Sequence, residues 1–246
     1  MARALMDYST ITFDCYGTLI DWESGIWDAL QPLLYRNGCL EITRNVGLEA
    51  FAEIESAQQT ETPEMVYDKL LTQVHMTFAK RFGLMTDMEM DHSFGASVPH
   101  WPAFPDTADA LRVLKKHFKL VILSNVSRDG FAASNRKLGV TFDAIYTAQD
   151  VGSYKPNPAN FAHLLEALEI DHSIGLDSIL HTAQSLFHDH IPAKQAGLDC
   201  AWIDQQRLSE GGYWGATARV SNRPEVDFLY FTMGEFAQAV SNATQK

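Results

Sequence analysis

Asp14 stands directly behind the apolar run "TITF", and three further polar groups follow comparable runs in chain order. Ser124 and Asn125 close "KLVIL", Lys155 lies in the loop after "AIYT", and Asp189 lies in the loop after "SILHTA". If each run is a strand of an open α/β sheet, these groups share one crevice, because ligands there gather outside the carboxyl ends of the strands. A carboxylate, a hydroxyl–amide pair, an ammonium and a second carboxylate suffice for nucleophilic catalysis by Asp14 with Lys155 as its electrostatic partner. Singly, each has an ordinary structural role: Asp14 in a turn or cap, Lys155 as a solvated loop lysine, Asp189 as a cap for the segment containing Pro192. Their placement at one strand end each is what favours chemistry.

The elements that must position these groups are legible. Apolar or β-branched runs at Thr10–Phe13, Lys119–Leu123, Ala144–Thr147, Ser178–Thr182 and Cys200–Ile203, with a weaker one at Phe228–Phe231, are near-continuous rather than alternating. That is the habit of parallel strands buried on both faces. Helical patterns lie between them, as in "DTADALRVLKKHF" and "NPANFAHLLEALEI", so the chain reads as right-handed βαβ crossovers. Residues 22–101 break the rhythm. "SGIWDALQPLLYRNG", "NVGLEAFAEIESAQQ" and "PEMVYDKLLTQVHMTFAKRFG" read as three successive amphipathic helices, with a shorter fourth in "TDMEMDHSFGASV". The Pro-rich "PHWPAFPD" would serve as return linker or hinge. The expected fold class is α/β: a Rossmann-like, doubly wound parallel sheet core over 1–21 and 102–246, with an inserted all-helical cap domain over 22–101.

Composition excludes several function classes. With 246 residues, 46% hydrophobic and 20% charged, the chain can bury a large core. The net charge of −12 comes without a basic stripe on any predicted helix, so neither nucleic acid nor an anionic membrane is the expected partner. Three sparse cysteines make neither a disulfide framework nor a zinc pattern, and fit a reducing compartment. No stretch reads as a secretory leader or a membrane span. The expectation is a cytoplasmic protein acting on a small molecule, with a homodimer admitted as its assembly.

"FDCYGTLIDW", "LSNVS", "YKPNP" and "HDHIPAKQAGL" resemble, in that order, the four motifs of the haloacid dehalogenase superfamily. Within it the chain is most similar to the type II (S)-2-haloacid dehalogenases. The resemblance implies that Asp14 is a nucleophile forming a covalent ester, and that Ser124 and Asn125 hold the substrate's charged groups. It further implies that Lys155 restrains Asp14 and that Asp189 helps to position the hydrolytic water. The substrate implied is a small carboxylate, a 2-haloalkanoic acid, with no cofactor and no metal.

The second residue after Asp14 discriminates within the superfamily. Its phosphatases carry a second aspartate there, whereas this chain has Tyr16. A phenol with an ordinary pKa near 10 replaces that carboxylate neither as a metal ligand nor as a tuned acid. A halide needs no proton to leave, so Tyr16 favours carbon–halogen displacement. Two departures point elsewhere. Gln184 and Leu186 occupy the positions where the branch has Ser and Asn, which leaves water activation to His188 or His190. Arg36 and Arg44 lie in the region of the branch's halide-holding arginine without matching it, and "EAFAEIE" offers glutamates instead. The substrate-contacting candidates are Cys15, Tyr16, Ser124, Asn125, Gln184 and His188, although Cys15 also reads as a buried structural thiol. Trp22, Trp27, Phe51 and Tyr67 are candidate walls of an apolar pocket. "HDH" at 188–190 is a weak metal signal. The competing readings are a magnesium-dependent hydrolase of a small phosphate or phosphonate, and a catalytically silent binding protein.

Overall fold

In β1 (Thr10–Phe13) every residue is buried although threonines alternate with Ile11 and Phe13. Such a strand needs cover on both faces, and the sheet provides it. Ile11, Phe13, Leu120, Ile122, Leu180, Ala201 and Ile203 belong to one apolar cluster, while Val121, Leu123, Ile179 and Cys200 belong to a second. Odd and even positions of each strand thus feed opposite layers, as the two-residue period dictates. The computed structural model describes residues 3–39 and 41–245; residues 1 and 2 of the expected core, 40 of the expected cap and 246 lie outside the described residues.

The sheet contains β1, β2 (Lys119–Ser124), β3 (Ala144–Thr147), β4 (Ile179–Ala183), β5 (Asp199–Ile203) and β6 (Phe228–Tyr230). All pairings are parallel and the order is β3-β2-β1-β4-β5-β6. β1 is central, between β2 and β4, where the winding direction reverses. That reversal opens the crevice in which ligands of such sheets bind. β4 starts one residue later than its sequence pattern suggests, because Ser178 belongs to a tight 3-10 turn, Leu176–Ser178, that enters the strand.

After β1 come four helices in succession: α1 (Trp22–Arg36), α2 (Arg44–Glu61), α3 (Tyr67–Phe82) and α4 (Met88–Gly95). They form the inserted helical cap. Side-chain caps start three of them, Asp21 for α1, Thr43 for α2 and Asp87 for α4. Gly83 ends α3 in the left-handed region at φ 65°, which glycine adopts at little cost. The remaining helices are α5 (Thr107–Leu114), α6 (Arg128–Leu138), α7 (Ala148–Val151), α8 (Ala159–His172), α9 (Ile191–Gln195) and α10 (Met233–Ala243). α5 and α10 contribute to the first apolar layer and α8 to the second.

The two passages between sheet and cap are tied together. Asp21 N–H donates to the Pro102 carbonyl, Phe104 N–H donates to that of Leu19, and Ile20 forms an isolated antiparallel bridge with Ala103. Trp101 from the returning passage is fully buried against α1. A Cβ at Gly25 would lie 2.2 Å from its ring, so only glycine lets the helix approach this closely.

Candidate active site

Lys155 Nζ lies 2.9 Å from Asp14 Oδ1, 2.6 Å from Asp189 Oδ1 and 2.9 Å from the Leu123 carbonyl. These three acceptors use all three of its N–H bonds. The sheet brings the participants together: Asp14 follows central β1, Asp189 lies in the turn after neighbouring β4, and Lys155 returns from β3. Asn125, just after β2, clamps the lysine's main chain, with Oδ1 accepting from Lys155 N–H at 2.7 Å and Nδ2 donating to its carbonyl at 3.0 Å. Asn125 is thereby a positioning residue for Lys155 rather than a side chain free for substrate.

Each carboxylate has further partners. Thr18 Oγ1 donates to Asp14 Oδ2 at 3.2 Å and accepts from Gln184 N–H at 2.9 Å. His181, inside β4, bridges Thr12 Oγ1 (2.8 Å to Nδ1) and Asp189 Oδ1 (3.0 Å to Nε2). A carboxylate can only accept, so Nε2 carries the ring proton and Nδ1 accepts from Thr12. Burial holds His181 below its ordinary pKa despite Asp189, which keeps the ring neutral. Asp189 Oδ2, Ser124 Oγ and His188 Nε2 are buried without a protein partner. Thr182 Oγ1 and His190 Nδ1 nearby are likewise without a protein partner, and buried groups of this kind bind water or a ligand.

The two carboxylates share one ammonium unequally. Burial pushes both towards the neutral form. At Asp189 the Lys155 charge and the His181 and Lys155 hydrogen bonds outweigh burial and hold the carboxyl well below the usual range. At Asp14 burial prevails over Lys155, the neighbouring Asp189 adds to it, and the pKa is raised. Burial also opposes the charge on Lys155, yet the two carboxylates raise its pKa on balance. Asp14 is therefore the more basic carboxylate, and the more nucleophilic when ionised.

The cap closes the other side of a narrow cavity lined by Asp14, Tyr16, Trp22, Glu55, Gln59, Tyr67, Asn125, Lys155, Gln184, Ser185, His188, Asp189 and Thr217. Glu55 of α2 is buried and accepts a 2.6 Å hydrogen bond from Tyr67 OH of α3. Burial, with a smaller contribution from Asp14 and against the Tyr67 bond, raises Glu55 to about 7. Tyr16 OH pairs with Ser134 Oγ at 3.0 Å and its ring stands edge-on to Trp101 at 5.3 Å. Burial pushes its pKa well above the ordinary value, so it keeps its proton.

Of the sequence-predicted residues, Asp14, Tyr16, Asn125, Lys155, Gln184, His188 and Asp189 come together around this cavity. Cys15 does not join them. Its thiol is buried in the apolar cluster and burial drives its pKa well up, so as a substrate-contacting side chain it is corrected to a core residue. Ser124 is buried at the end of β2 but is not among the lining residues. Gln184 lines the cavity with its amide engaged by Gln206 and by Thr217 Oγ1 at 3.0 Å. Burial lowers His188 to about 4, and its Nδ1 lies 3.2 Å from Ser185 Oγ. His190 Nε2 donates instead to the Ala183 carbonyl at 2.9 Å, away from the cavity lining. Trp22 and Tyr67 are walls, whereas Trp27 and Phe51 are not. Arg36 pairs with Asp87, and Arg44 lies 3.3 Å from Ser24 Oγ; neither lines the cavity.

Sequence reasoning missed Thr18, Gln59, Ser185, Thr217 and above all His181. The signal for His181 was an imidazole inside an otherwise apolar strand, which demands buried partners. A divalent metal fits this donor set poorly. Lys155 occupies Oδ1 of both aspartates, Tyr16 is a protonated phenol, and no cluster of three or more His, Cys, Asp or Glu suited to a metal exists among the described residues. A hard cation such as magnesium seeks several free carboxylate oxygens.

The sheet order and a strand-end aspartate paired with a lysine define an α/β hydrolase scaffold with a helical cap. The sequence model of the haloacid dehalogenase-like hydrolases matches residues 8–175, and the chain belongs to that family. A search of curated proteins found no match. Among solved structures, it is similar to an L-2-haloacid dehalogenase from Xanthobacter autotrophicus with chloropropionic acid covalently bound, at 20% identity, covering 95% of this chain and 98% of that one, TM-score 0.75. The defluorinating L-2-haloacid dehalogenase Rha0230 aligns at 18% identity over 97% and 98% of the two chains, TM-score 0.77. The haloacid dehalogenase-family hydrolase YfnB from Bacillus subtilis, bound to magnesium, aligns at 18% identity over 95% and 99%, TM-score 0.73. At these identities the likeness is one of fold. Among the described residues no helix is long and apolar enough to cross a membrane.

Proposed function

We propose that the protein hydrolyses the carbon–halogen bond of a small 2-haloalkanoic acid through an ester on Asp14. An Asp14 oxygen attacks C2 in line with the halogen. The new C–O bond forms as the C–X bond breaks, the electron pair leaves with the halide, and C2 inverts. Water then attacks the Asp14 carboxyl carbon, and the ester C–O bond to that carbon breaks. The departing alkoxide takes one water proton to give the 2-hydroxy acid, and the second proton passes to solvent as Asp14 is regenerated.

Lys155 holds Asp14 in place, and its saturation by three acceptors keeps it from competing for substrate. Asp189 is held ionised with Oδ2 unpartnered, suited to accepting a hydrogen bond from the O–H of the hydrolytic water. What supports the reading most is a lysine-restrained Asp14 followed two residues later by proton-bound Tyr16, an arrangement suited to a leaving group that departs as an anion.

Halide release from racemic 2-chloropropionate in excess EDTA, with Asp14→Asn alongside, tests it. Chloride from wild type alone, stopping near half conversion, is the expected result. Wild-type release no greater than that of Asp14→Asn would remove 2-chloropropionate as a substrate.

A further inference from the structure

Two residues of α2 one helical turn apart, Glu55 and Gln59, face the cavity opposite Asp14. Tyr67 holds Glu55 Oε1, while Oε2 has no hydrogen-bond partner among the described residues. This end of the cavity lacks a cation. Arg36 and Arg44 are engaged elsewhere, and Lys155, the only lysine or arginine lining the cavity among the described residues, has spent its donors. The other hydroxyl donors at the wall are occupied too, Tyr16 with Ser134 and Tyr67 with Glu55. Gln59 Nε2 and Trp22 Nε1 at the same wall are neutral donors, so an anion leaving C2 away from Asp14 is met by neutral donors alone in a desolvated pocket.

We propose that Glu55, as a neutral carboxylic acid, donates a hydrogen bond from Oε2 to the departing halide and so decides which halogens the enzyme accepts. The inference rests on the dehalogenase reading above. The groups facing Glu55 are Tyr67 from α3, Tyr154 from the loop before Lys155, and Asp14 across the cavity; Lys155 lies beyond, paired to the two aspartates. Among the described residues no cation adjoins the carboxyl. Burial and the Asp14 charge favour its proton up to about pH 7, with Tyr67 pulling the other way. In the first step the C–X electron pair goes to the halide, the O–H of Glu55 turns to it, and the proton stays on Glu55. An O–H donor to an anion is a strong, short contact. It aids fluoride most, because fluoride is the smallest halide and the strongest hydrogen-bond acceptor.

The test is kcat/KM for 2-fluoropropionate and 2-bromopropionate across about pH 6 to 9, in wild type, Glu55→Gln and Tyr67→Phe. Taking the fluoride-to-bromide ratio cancels effects common to both substrates, such as Asp14 ionisation and repulsion of the substrate carboxylate. In wild type the ratio falls above about pH 7, approaching tenfold per pH unit as Glu55 ionises. Glu55→Gln, which cannot ionise, gives a ratio independent of pH. Tyr67→Phe removes the bond that stabilises the carboxylate and moves the fall to higher pH. Bromide and fluoride release with a flat wild-type ratio, or a fall retained in Glu55→Gln, would overturn the role of Glu55 alone. No halide from either substrate in wild type would overturn the dehalogenase reading and this inference with it.

Discussion

Buried carboxyls face each other across one cavity, and their partners set Asp189 and Glu55 in opposite states. On the sheet side, Asp14 and Asp189 share Lys155, and Asp189 also has His181. On the cap side, Glu55 has only a phenol, Tyr67. Burial penalises the charge of all three. A cation at 2.6 Å with a second donor overcomes that at Asp189; a neutral donor does not overcome it at Glu55, which rises to about 7. The same functional group thus supplies a permanent anion at Asp189 and a proton-bearing donor at Glu55, and the difference lies in an ammonium joined by the His181 N–H, since Asp14, with the ammonium but without the imidazole, stays raised.

Removing that ammonium should have the largest effect. Lys155→Met leaves two buried carboxylates uncompensated, and we expect a loss of about 3–5 kcal/mol in urea unfolding at neutral pH. We also expect any turnover to fall by about 10³-fold or more. Stability close to wild type would mean that the lysine bridge does not hold the site.

The cap side should respond with the opposite sign. Glu55 ionises at about 7 in the fold and near 4.5 when unfolded, so between those values the folded state alone keeps the proton. Its contribution to stability then falls as pH rises through this window and is flat above it, the gap corresponding to about 3 kcal/mol. Glu55→Gln should remove this part of the decline, leaving that of Asp14, which is also raised, and make the protein more stable relative to wild type at about pH 8 than at about pH 4. Parallel stability–pH curves for the two proteins would show that Glu55 is not held neutral.

A smaller change follows on the sheet side from His181→Leu, which deletes a charge-assisted bond to Asp189 and orphans Thr12 Oγ1. It should cost about 1.5–3 kcal/mol. Because Asp189 is depressed in the fold, its contribution is present above its unfolded value and disappears as pH falls through the folded one. The variant's deficit should therefore shrink in acid, and a deficit that grows instead would contradict the assignment. Thr18→Val should have the smallest effect. It removes the 3.2 Å bond to Asp14 and leaves Gln184 N–H unpaired, for about 1–3 kcal/mol and a modest fall in rate.

The sheet side was more legible in the sequence than the cap side, where Trp22 and Tyr67 stood out as walls but Glu55 and Gln59 did not, for a physical reason. A parallel strand buried on both faces writes itself as a continuous apolar run, so its end is visible and the polar residue just beyond stands out, as Asp14 and Ser124 do. Lys155 and Asp189 sit in loops whose anchoring strands, Ala144–Thr147 and Ile179–Ala183, agree with the sequence reading to within a residue. Asn125 was found, but its task was hidden, since no pattern shows that its amide would fold back onto the Lys155 main chain. His181 hid inside the signal of its own strand. Glu55 lies on an amphipathic helix where a glutamate reads as a solvated face, and only the packing of α2 over the strand ends turns it inward. Thr217 comes from residues 204–227, which carry no strand or long helix and no periodicity to read.

The central claim is that Asp14 itself carries the substrate, and a single turnover in oxygen-18 water tests it directly. With enzyme in excess over 2-chloropropionate, the covalent route places the label in the peptide containing Asp14 and delivers an unlabelled 2-hydroxy acid. Label in the product with none in that peptide would mean that water attacks C2 directly, and would contradict the account.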